Sequence, residues 1–327
     1  MVGKKHMKDK KDFLSIIDLT AEEIWQIFLM AKKLKEELES KGRNEPLLKD
    51  KQMVMLFEKP SLRTKLSFDL GFDQLGGHAV YFGAQEVGLG KREAISDVAQ
   101  VISSMADLIV ARVFSHQALE ELAKNSSVPV INALSDLEHP CQALADFLTI
   151  LEVKGKLKGL TLTYIGDGEN NVPHSLVLGC ALLGINFKCA SPKGYFMNKN
   201  MVQKAKQIAK KTRVNILETK DPKQAVKNAD IVYTDTWVSM GDEDKEDRLK
   251  VFKPYQVKKN LMKLARKDAI FMHDMPAYRG NEVSAEVIDG PQSVVFQQAE
   301  NRLHAQKGLL VWLLQFQRTN SKPALLK

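Results

Sequence analysis

The stretch Met53-Val-Met-Leu-Phe-Glu-Lys-Pro-Ser-Leu-Arg-Thr64 places an uninterrupted apolar run directly before a polar turn and the start of a helix. Such an apolar run is typical of a strand that is buried on both faces of a sheet. Ser61 is a residue type that commonly caps a helix, and a helical pattern follows from Thr64 to Leu75. A strand, a short turn and a helix in this order predict a βαβ unit in a parallel sheet.

The same alternation continues on both sides of this unit. An amphipathic helix precedes it, because Thr20 and Glu23 have capping-box spacing and Gly42 provides the stop. Downstream, helices are predicted at Ala94–Met105, Gln117–Asn125 and Pro140–Lys154, and strands at Ala79–Phe82, Leu108–Val113 and Val128–Ala133.

A charged segment with two glycines, Lys154 to Gly159, interrupts the pattern and predicts a domain boundary. Beyond it, strands are predicted at Leu160–Ile165, Asn186–Ala190, Val214–Leu217, Ile231–Thr234 and Ala269–His273, and a last helix from about Ala299 to Phe316. We therefore expect an α/β fold of two doubly wound parallel-sheet domains, residues 1–153 and 154–298. The C-terminal helix, in residues 299–327, could return to either domain.

Composition excludes several classes of protein. Of the 327 residues, 44% are hydrophobic and 27% charged, which is ordinary for a folded chain. The net charge of +8 suits an anionic ligand, but part of it comes from a basic run between Lys4 and Lys11, and no nucleic-acid-binding motif accompanies it. Cys141, Cys180 and Cys189 form no CxxC pair, as expected for reduced thiols.

Membrane insertion and secretion are also not expected. The most apolar uncharged stretch, Ser175 to Phe187, is too short to span a bilayer. The basic N-terminal run leads into an amphipathic pattern without the apolar core of a signal peptide. We expect a cytoplasmic protein that binds neither membranes nor nucleic acid.

Polar residues gather where strands of the first domain end, which is where ligands bind in open parallel sheets. Ser61, Arg63 and Thr64 open a helix and suit a phosphate group, although a plain serine cap beside a solvated arginine is the alternative. Arg112 interrupts an apolar strand, so it needs an anion, either a ligand or a structural salt bridge. His139 begins a helix and could donate to an oxyanion or merely cap the helix.

Arg302 adds a third arginine at the predicted start of the last helix, where simple surface exposure is the alternative. In the second domain, Gly166-Asp-Gly-Glu-Asn-Asn171 follows a strand, but the third glycine of a dinucleotide fingerprint is absent. Asp235 follows another strand and suits an ammonium group, with a turn or cap as the alternative. Asp274 follows a further strand and, with Asp235, makes this end of the domain acidic, which favours a positively charged ligand.

Four motifs together resemble the aspartate/ornithine carbamoyltransferase family: Ser61-Leu-Arg-Thr64, His139-Pro-Cys-Gln142, Asp235-Thr-Trp-Val-Ser-Met-Gly241 and Ala299-Glu-Asn-Arg302. The resemblance runs in order from about Phe13 to Leu314, and the Ser-Met-Gly loop is typical of the ornithine branch. It implies transfer of a carbamoyl group from carbamoyl phosphate to L-ornithine, giving L-citrulline and phosphate, in arginine biosynthesis or a urea-cycle-type step. It further implies a homotrimer, no metal or other cofactor, and a last helix that returns to the first domain.

The resemblance also implies roles for particular residues. Carbamoyl phosphate would be bound by Ser61, the Leu62 backbone, Arg63, Thr64, Arg112, His139, Gln142 and Arg302. Ornithine would be bound by Asn171, Asp235, Ser239 and Met240 and by the strand-end backbone of Asp274 and Met275, with a charged loop at Asp242–Arg248 closing over it. Arg112, His139 and Asp274 would be the catalytic residues.

The sequence departs from the family pattern in two places. The family has His-Cys-Leu-Pro where this chain has His273-Asp-Met-Pro276, and we hypothesise that Asp274 orients the attacking amine and relays its proton. The family commonly places Gln or His in the loop Ala84–Glu93, at a position that aligns with Gly88. Gln85 and Lys91 are both candidates to replace that residue.

Other functions are compatible with part of the pattern. A carbamoyltransferase for putrescine or an N-acylated ornithine would keep the phosphate-binding motifs and change the second domain. A non-catalytic relative would bind a phosphorylated metabolite without turnover. A nicotinamide dehydrogenase is disfavoured by the incomplete glycine fingerprint.

Overall fold

The computed structural model describes residues 10–238 and 245–319, which form two compact α/β units. Of the described residues, those up to Leu144 and those from Arg302 onward form the first unit, and Ala145–Asn301 form the second. The sequence-based boundary between residues 153 and 154 stays a prediction of where the functional domains divide.

The first unit is built on a four-stranded parallel sheet in the order β2-β1-β3-β4. The strands are β1 (Gln52–Phe57), β2 (His78–Phe82), β3 (Leu108–Arg112) and β4 (Val130–Leu134). The helices that begin in this unit are α1 (Ala21–Lys41), α2 (Leu62–Asp73), α3 (Ala84–Val87), α4 (Ile95–Met105), α5 (His116–Asn125) and α6 (Pro140–Lys154), with a 3₁₀ turn at Ile16–Asp18.

The second unit is built on a five-stranded parallel sheet in the order β7-β6-β5-β8-β9. The strands are β5 (Thr161–Ile165), β6 (Asn186–Ala190), β7 (Ile216–Thr219), β8 (Ile231–Thr234) and β9 (Ile270–His273). The helices are α7 (Asn171–Leu183), α8 (Lys199–Thr212), α9 (Pro222–Val226), α10 (Lys245–Phe252), α11 (Lys259–Met262), α12 (Ala285–Ile288) and α13 (Val295–Thr319), with a 3₁₀ turn at Lys253–Tyr255.

Both sheets reverse their strand order once, which confirms the doubly wound prediction. In the first unit the reversal lies between β1 and β3, and in the second between β5 and β8. The loops after strands on either side of such a reversal diverge and leave a crevice at the carboxyl edge of the sheet. The polar motifs at Ser61, Arg112 and Asp235 follow or end three of these four strands.

Helix α1 forms for the reason that its sequence indicates. Thr20 Oγ1 accepts from the Glu23 N–H at 3.2 Å, and the Glu23 carboxylate accepts from the Thr20 N–H at 2.8 Å. Gly42 ends the helix in the left-handed region, at φ 69°. The buried face of the helix consists of the apolar residues at helical spacing, among them Ile24, Ile27 and Ala31.

Two predicted boundaries are wrong. The last helix, α13, begins at Val295 rather than at Ala299, because Val295 is buried and the Gln298 amide donates to Asp146 Oδ1 at 2.7 Å in the core. Arg302 therefore lies inside the helix instead of at its start. The charged segment predicted as a loop up to Arg248 is helical from Lys245, because Phe252 in α10 is fully buried.

Helix α13 returns to the first unit, where it packs closely against α2. A Cβ atom at Gly71 of α2 would lie 3.2 Å from Lys307 Cγ and 3.3 Å from Leu303 Cδ1 of α13. Within residues 10–238 and 245–319, no helix has both the length and the apolar character that crossing a membrane requires.

Lys307 joins three segments of the first unit although its side chain is buried. Its Nζ donates to Asn44 Oδ1 at 2.7 Å, just after α1, and to Gln74 Oε1 at 2.9 Å, at the end of α2. Burial lowers the pKa of Lys307 from 10.5 to about 8, and the charge of Glu37 opposes this effect.

We predict that Lys307 makes stability rise with pH. Its pKa is lower in the folded chain, so the unfolded chain binds more protons between the two pKa values. The unfolding free energy of the wild type should therefore gain about 1–2 kcal/mol relative to Lys307→Met between about pH 7.5 and about pH 10. Urea unfolding at both pH values measures the difference, and a difference independent of pH would contradict the prediction.

Candidate active site

The start of α2 presents hydroxyl and amide groups at the carboxyl edge of the first sheet. Ser61 caps the helix: its Oγ accepts from the Thr64 N–H at 3.4 Å and donates to Thr64 Oγ1 at 3.0 Å. Thr64 is buried, whereas Arg63 is partly exposed. N–H groups of the first turn of a helix have no intrahelical acceptor and carry partial positive charge, so this turn suits an anion.

Arg112 lies beside this turn because it is the last residue of β3, the strand next to β1. It pairs in register with Phe57, and its carbonyl accepts from the Glu58 N–H at 2.8 Å. The side chain of Arg112 is buried, with 8% of its surface exposed. A guanidinium at this depth interacts strongly with any anion that reaches it, because little water screens the charge.

Arg302 connects the last helix to two other predicted site residues. Its Nη1 donates to Gln142 Oε1 at 2.5 Å, and its Nη2 donates to Thr64 Oγ1 at 3.3 Å. Gln142 and Arg302 are both buried. Residues from three motifs that are far apart in sequence are thus brought together in one unit.

His139 lies in the combined field of three arginines. Its pKa is held well below the ordinary value, first by complete burial and then by the charges of Arg302, Arg112 and Arg63. The imidazole is therefore neutral at physiological pH, and it can donate one hydrogen bond without adding to the positive charge. The structure places all the predicted carbamoyl-phosphate residues of the first unit in this region.

Sequence reasoning missed Gln306 and Ser67. The Gln306 amide, oriented so that its oxygen faces the guanidinium, accepts from Arg302 Nε at 3.1 Å and from Nη2 at 3.0 Å. Its nitrogen donates to Ser67 Oγ at 2.5 Å. The available signal was spacing, because Gln306 follows Arg302 by four residues and so shares its helix face.

In the second unit, Asp235 follows β8 and is hydrogen-bonded by Asn170, a residue that the sequence analysis did not identify. Asn170 donates to Asp235 Oδ2 at 3.1 Å and also caps α7. The Thr236 N–H donates to Asp235 Oδ1 at 2.7 Å. Asn171 is the first residue of α7 and is partly buried.

Asp235 and Asp274 form an interacting pair of carboxyl groups. Strands β8 and β9 are adjacent, with Thr234 paired to His273, so the next residue of each strand lies at the same edge. The pKa of Asp235 is raised to about 7, first by burial and then by the charge of Asp274. Two carboxyl groups in such a site readily share one proton.

A buried histidine fixes the strand end that carries Asp274. His273 Nδ1 accepts from the Met275 N–H at 2.8 Å, and its Nε2 faces Glu282 Oε1 at 3.1 Å. Glu282, another residue that sequence reasoning missed, also accepts from the Tyr278 N–H at 2.5 Å. Met275 has φ 62°, a left-handed conformation that is strained in a residue with a side chain.

Asp167 and Arg248 form a second unpredicted contact at the end of β5. The Arg248 guanidinium pairs with the Asp167 carboxylate, and Arg248 Nε donates to the Trp237 carbonyl at 2.8 Å. Burial raises the pKa of Asp167 to about 6, although the charge of Arg248 opposes this effect. Arg248 therefore ties α10 to two strand ends of the second sheet.

The remaining predicted residues are not joined to these clusters by any described contact. Ser239 and Met240 lie outside the residues that the structure describes. Gln85, in α3, and Lys91 are both exposed, so the structure does not choose between them.

Comparison with known proteins identifies both halves of the chain. Residues 11–152 match the family model described as "Aspartate/ornithine carbamoyltransferase, carbamoyl-P binding domain". Residues 158–313 match the model described as "Aspartate/ornithine carbamoyltransferase, Asp/Orn binding domain".

Similar proteins cover nearly the whole chain. An ornithine carbamoyltransferase of Anoxybacillus flavithermus is 50% identical over 305 residues, 93% of this chain and 96% of the relative. An anabolic ornithine carbamoyltransferase of Pyrococcus furiosus is 48% identical over 93% of this chain and 96% of the relative. The solved structure of ornithine carbamoyltransferase from Pyrococcus furiosus has a TM-score of 0.89 at 48% identity, covering 92% of this chain and 96% of that one.

Proposed function

The chain belongs to the aspartate/ornithine carbamoyltransferase family, and on that basis we propose that it transfers the carbamoyl group of carbamoyl phosphate to L-ornithine. The products are L-citrulline and inorganic phosphate. The convergence of Arg63, Arg112 and Arg302 on the neutral, buried His139 carries this proposal.

The first unit has the charge and hydrogen-bonding groups that carbamoyl phosphate requires. The α2 turn with Ser61, Arg63 and Thr64 binds the phosphate, and Arg112 contacts both the phosphate and the carbonyl oxygen. His139, Gln142 and Arg302 hold the carbamoyl group. Preorganised donors of this kind stabilise charge that develops in the transition state more than they stabilise the bound substrate.

In the reaction, the carbonyl carbon forms a bond to nitrogen and loses its bond to the phosphate oxygen. The neutral δ-amine of ornithine attacks the carbon, a C–N bond forms, and the carbonyl oxygen becomes an oxyanion facing the positive charges and His139. Collapse breaks the C–O bond to phosphate, whose charge the α2 turn and Arg112 stabilise. The nitrogen then gives up its extra proton.

The second unit supplies the groups that bind and deprotonate the amine. An alkylamine has a pKa of about 10.4, so it arrives protonated and must lose a proton before it attacks. Asp235 binds ammonium, Asn171 binds the amino-acid head group, and Asp274 accepts the proton of the attacking nitrogen. The raised pKa of Asp235 beside Asp274 suits this exchange, because Asp235 can gain or lose a proton near neutral pH.

An acidic amine site favours ornithine over aspartate, which would require additional cations. The names of the similar proteins agree with ornithine and do not favour putrescine or an N-acylated ornithine. The anabolic relative supports a place in arginine biosynthesis.

The active form is a homotrimer in the cytoplasm. Exposed apolar side chains on one face of α2 support self-association: Leu62 is 75% exposed, Leu66 51% and Leu70 44%. Met105, at the end of α4, is 76% exposed. Exposed apolar residues gathered on one helix face are typical of an interface with another chain.

We predict that Arg63→Ala lowers kcat/KM for carbamoyl phosphate by about 10²- to 10³-fold, because a charge-assisted contact to the phosphate is lost. Citrulline formation and phosphate release measure the effect, with putrescine, N-acetylornithine and aspartate offered beside ornithine. Lys65→Ala is the matched control, since it removes an exposed positive charge from the same helix. Failure of the wild type to release phosphate, or equal activity of Arg63→Ala, would refute the function.

We predict that Asp274→Asn lowers kcat by about 10²-fold or more, as loss of a general base does. It should also shift the acidic limb of the pH profile to lower pH, because removing the charge of Asp274 lowers the pKa of Asp235. Rates of citrulline formation between about pH 5 and about pH 9 test both effects. Asp289→Asn, which changes an exposed carboxylate paired with Arg279, serves as control, and an unchanged profile in Asp274→Asn would remove the catalytic role.

We predict that Leu66→Lys dissociates the trimer, because a charge on the apolar face of α2 opposes its burial. Light scattering should give three times the chain mass of 36.7 kDa for the wild type and less for the variant. Leu264→Lys, at a site that is 42% exposed in the second unit, should keep the wild-type mass. A wild-type mass of one chain would exclude the trimer.

A further inference from the structure

We propose that Gln306 is a positioning residue for carbamoyl transfer, whose neutral amide ties the Arg302 guanidinium to the first turn of α2 without cancelling its charge. The proposal rests on the function given above. It assigns a role to a residue that belongs to none of the four motifs.

A continuous chain of hydrogen bonds runs from Arg302 to the phosphate-binding turn. Gln306 accepts from Arg302 Nε at 3.1 Å and from Nη2 at 3.0 Å, and it donates to Ser67 Oγ at 2.5 Å. Ser67 Oγ in turn donates to the Arg63 carbonyl at 2.7 Å. One amide therefore restrains both the arginine that holds the carbamoyl group and the helix turn that holds the phosphate.

The contacts engage all three nitrogens of the Arg302 guanidinium. Gln142 Oε1 accepts from Nη1, Gln306 Oε1 accepts from Nε and Nη2, and Thr64 Oγ1 also accepts from Nη2. The side chains of Arg302 and Gln306 are 2% and 1% exposed, so water does not compete for these bonds. A donor held in this way needs no reorganisation when charge develops on the substrate.

The acceptors around Arg302 are all uncharged. Among residues 10–238 and 245–319, no carboxylate forms an ion pair with Arg302, and its acceptors are amide and hydroxyl oxygens. A buried arginine would be satisfied more strongly by a carboxylate, but the pair would then be neutral. An amide at position 306 satisfies the N–H groups and leaves the full positive charge for the phosphate and the oxyanion.

The charge of Arg302 also acts on His139. The pKa of His139 is therefore a measurement that a purely structural role of Gln306 would not change. After burial, the charge of Arg302 is the strongest influence that lowers the pKa of His139. A carboxylate at position 306 would cancel part of that charge. The pKa of His139 would then rise towards its ordinary value.

The test compares Gln306→Leu and Gln306→Glu in the full-length chain. Gln306→Leu loses the hydrogen bonds to Arg302 and to Ser67. KM for carbamoyl phosphate should therefore rise, and kcat/KM should fall by about 10- to 100-fold. Gln306→Glu keeps the size of the side chain and both arginine contacts, yet kcat/KM should fall similarly. In Gln306→Glu alone, the His139 titration followed by NMR and the pH profile should move to higher pH.

Gln297→Leu is the matched control, because it makes the same substitution on α13 and removes a single hydrogen bond, to Glu152 Oε2 at 2.9 Å. It should keep the wild-type KM and pH profile. If both Gln306 variants behave like this control, the positioning role is refuted. If Gln306→Leu does not fold, Gln306→Glu decides the question through the His139 titration. A wild-type chain without turnover would refute the proposed function instead, and that titration would still decide the role of Gln306.

Discussion

The structure depends on keeping several like charges close together in a place with little water. Arg112 and Arg302 are buried, Arg63 is near them, and all three act on the same imidazole. Such a cluster is unfavourable without an anion, so rigid elements must hold it. The carboxyl edge of a parallel sheet meets this need, because β3 and the helices after β1 and β4 each deliver one part of the cluster from a fixed direction.

The second unit uses the same architecture to bring together negatively charged groups instead of positively charged ones. Its strand ends present the carboxyl groups of Asp235 and Asp274, and burial with mutual repulsion keeps Asp235 partly protonated near neutral pH. His273, whose ring contacts Glu282 on one side and the Met275 N–H on the other, fixes the strand end that carries Asp274. Related folds with opposite charge thus serve an anionic donor and a cationic acceptor.

Most of the fold could be predicted because apolar runs and capping residues act locally. The Thr20–Glu23 box, the strand before Ser61 and the helix at Pro140 all lie where their own side chains indicate. The start of α13 and the helix at Lys245 could not be predicted, since tertiary contacts of Gln298 and burial of Phe252 decide them. Gln306 and Asn170 were missed for a related reason: an amide reveals its role only when its partners, distant in sequence, are beside it.

The first unit is discontinuous, and this has a consequence for synthesis of the chain. Residues 10–144 contain the turn at Ser61 and the histidine at 139, but Arg302 and the helix that packs on Gly71 come from the other end of the polypeptide. A ribosome therefore releases nearly the entire sequence before the first unit can close. Until then, the nascent N-terminal half exposes the groove that α13 will fill, and it is at this stage that binding by a chaperone would protect it from aggregation.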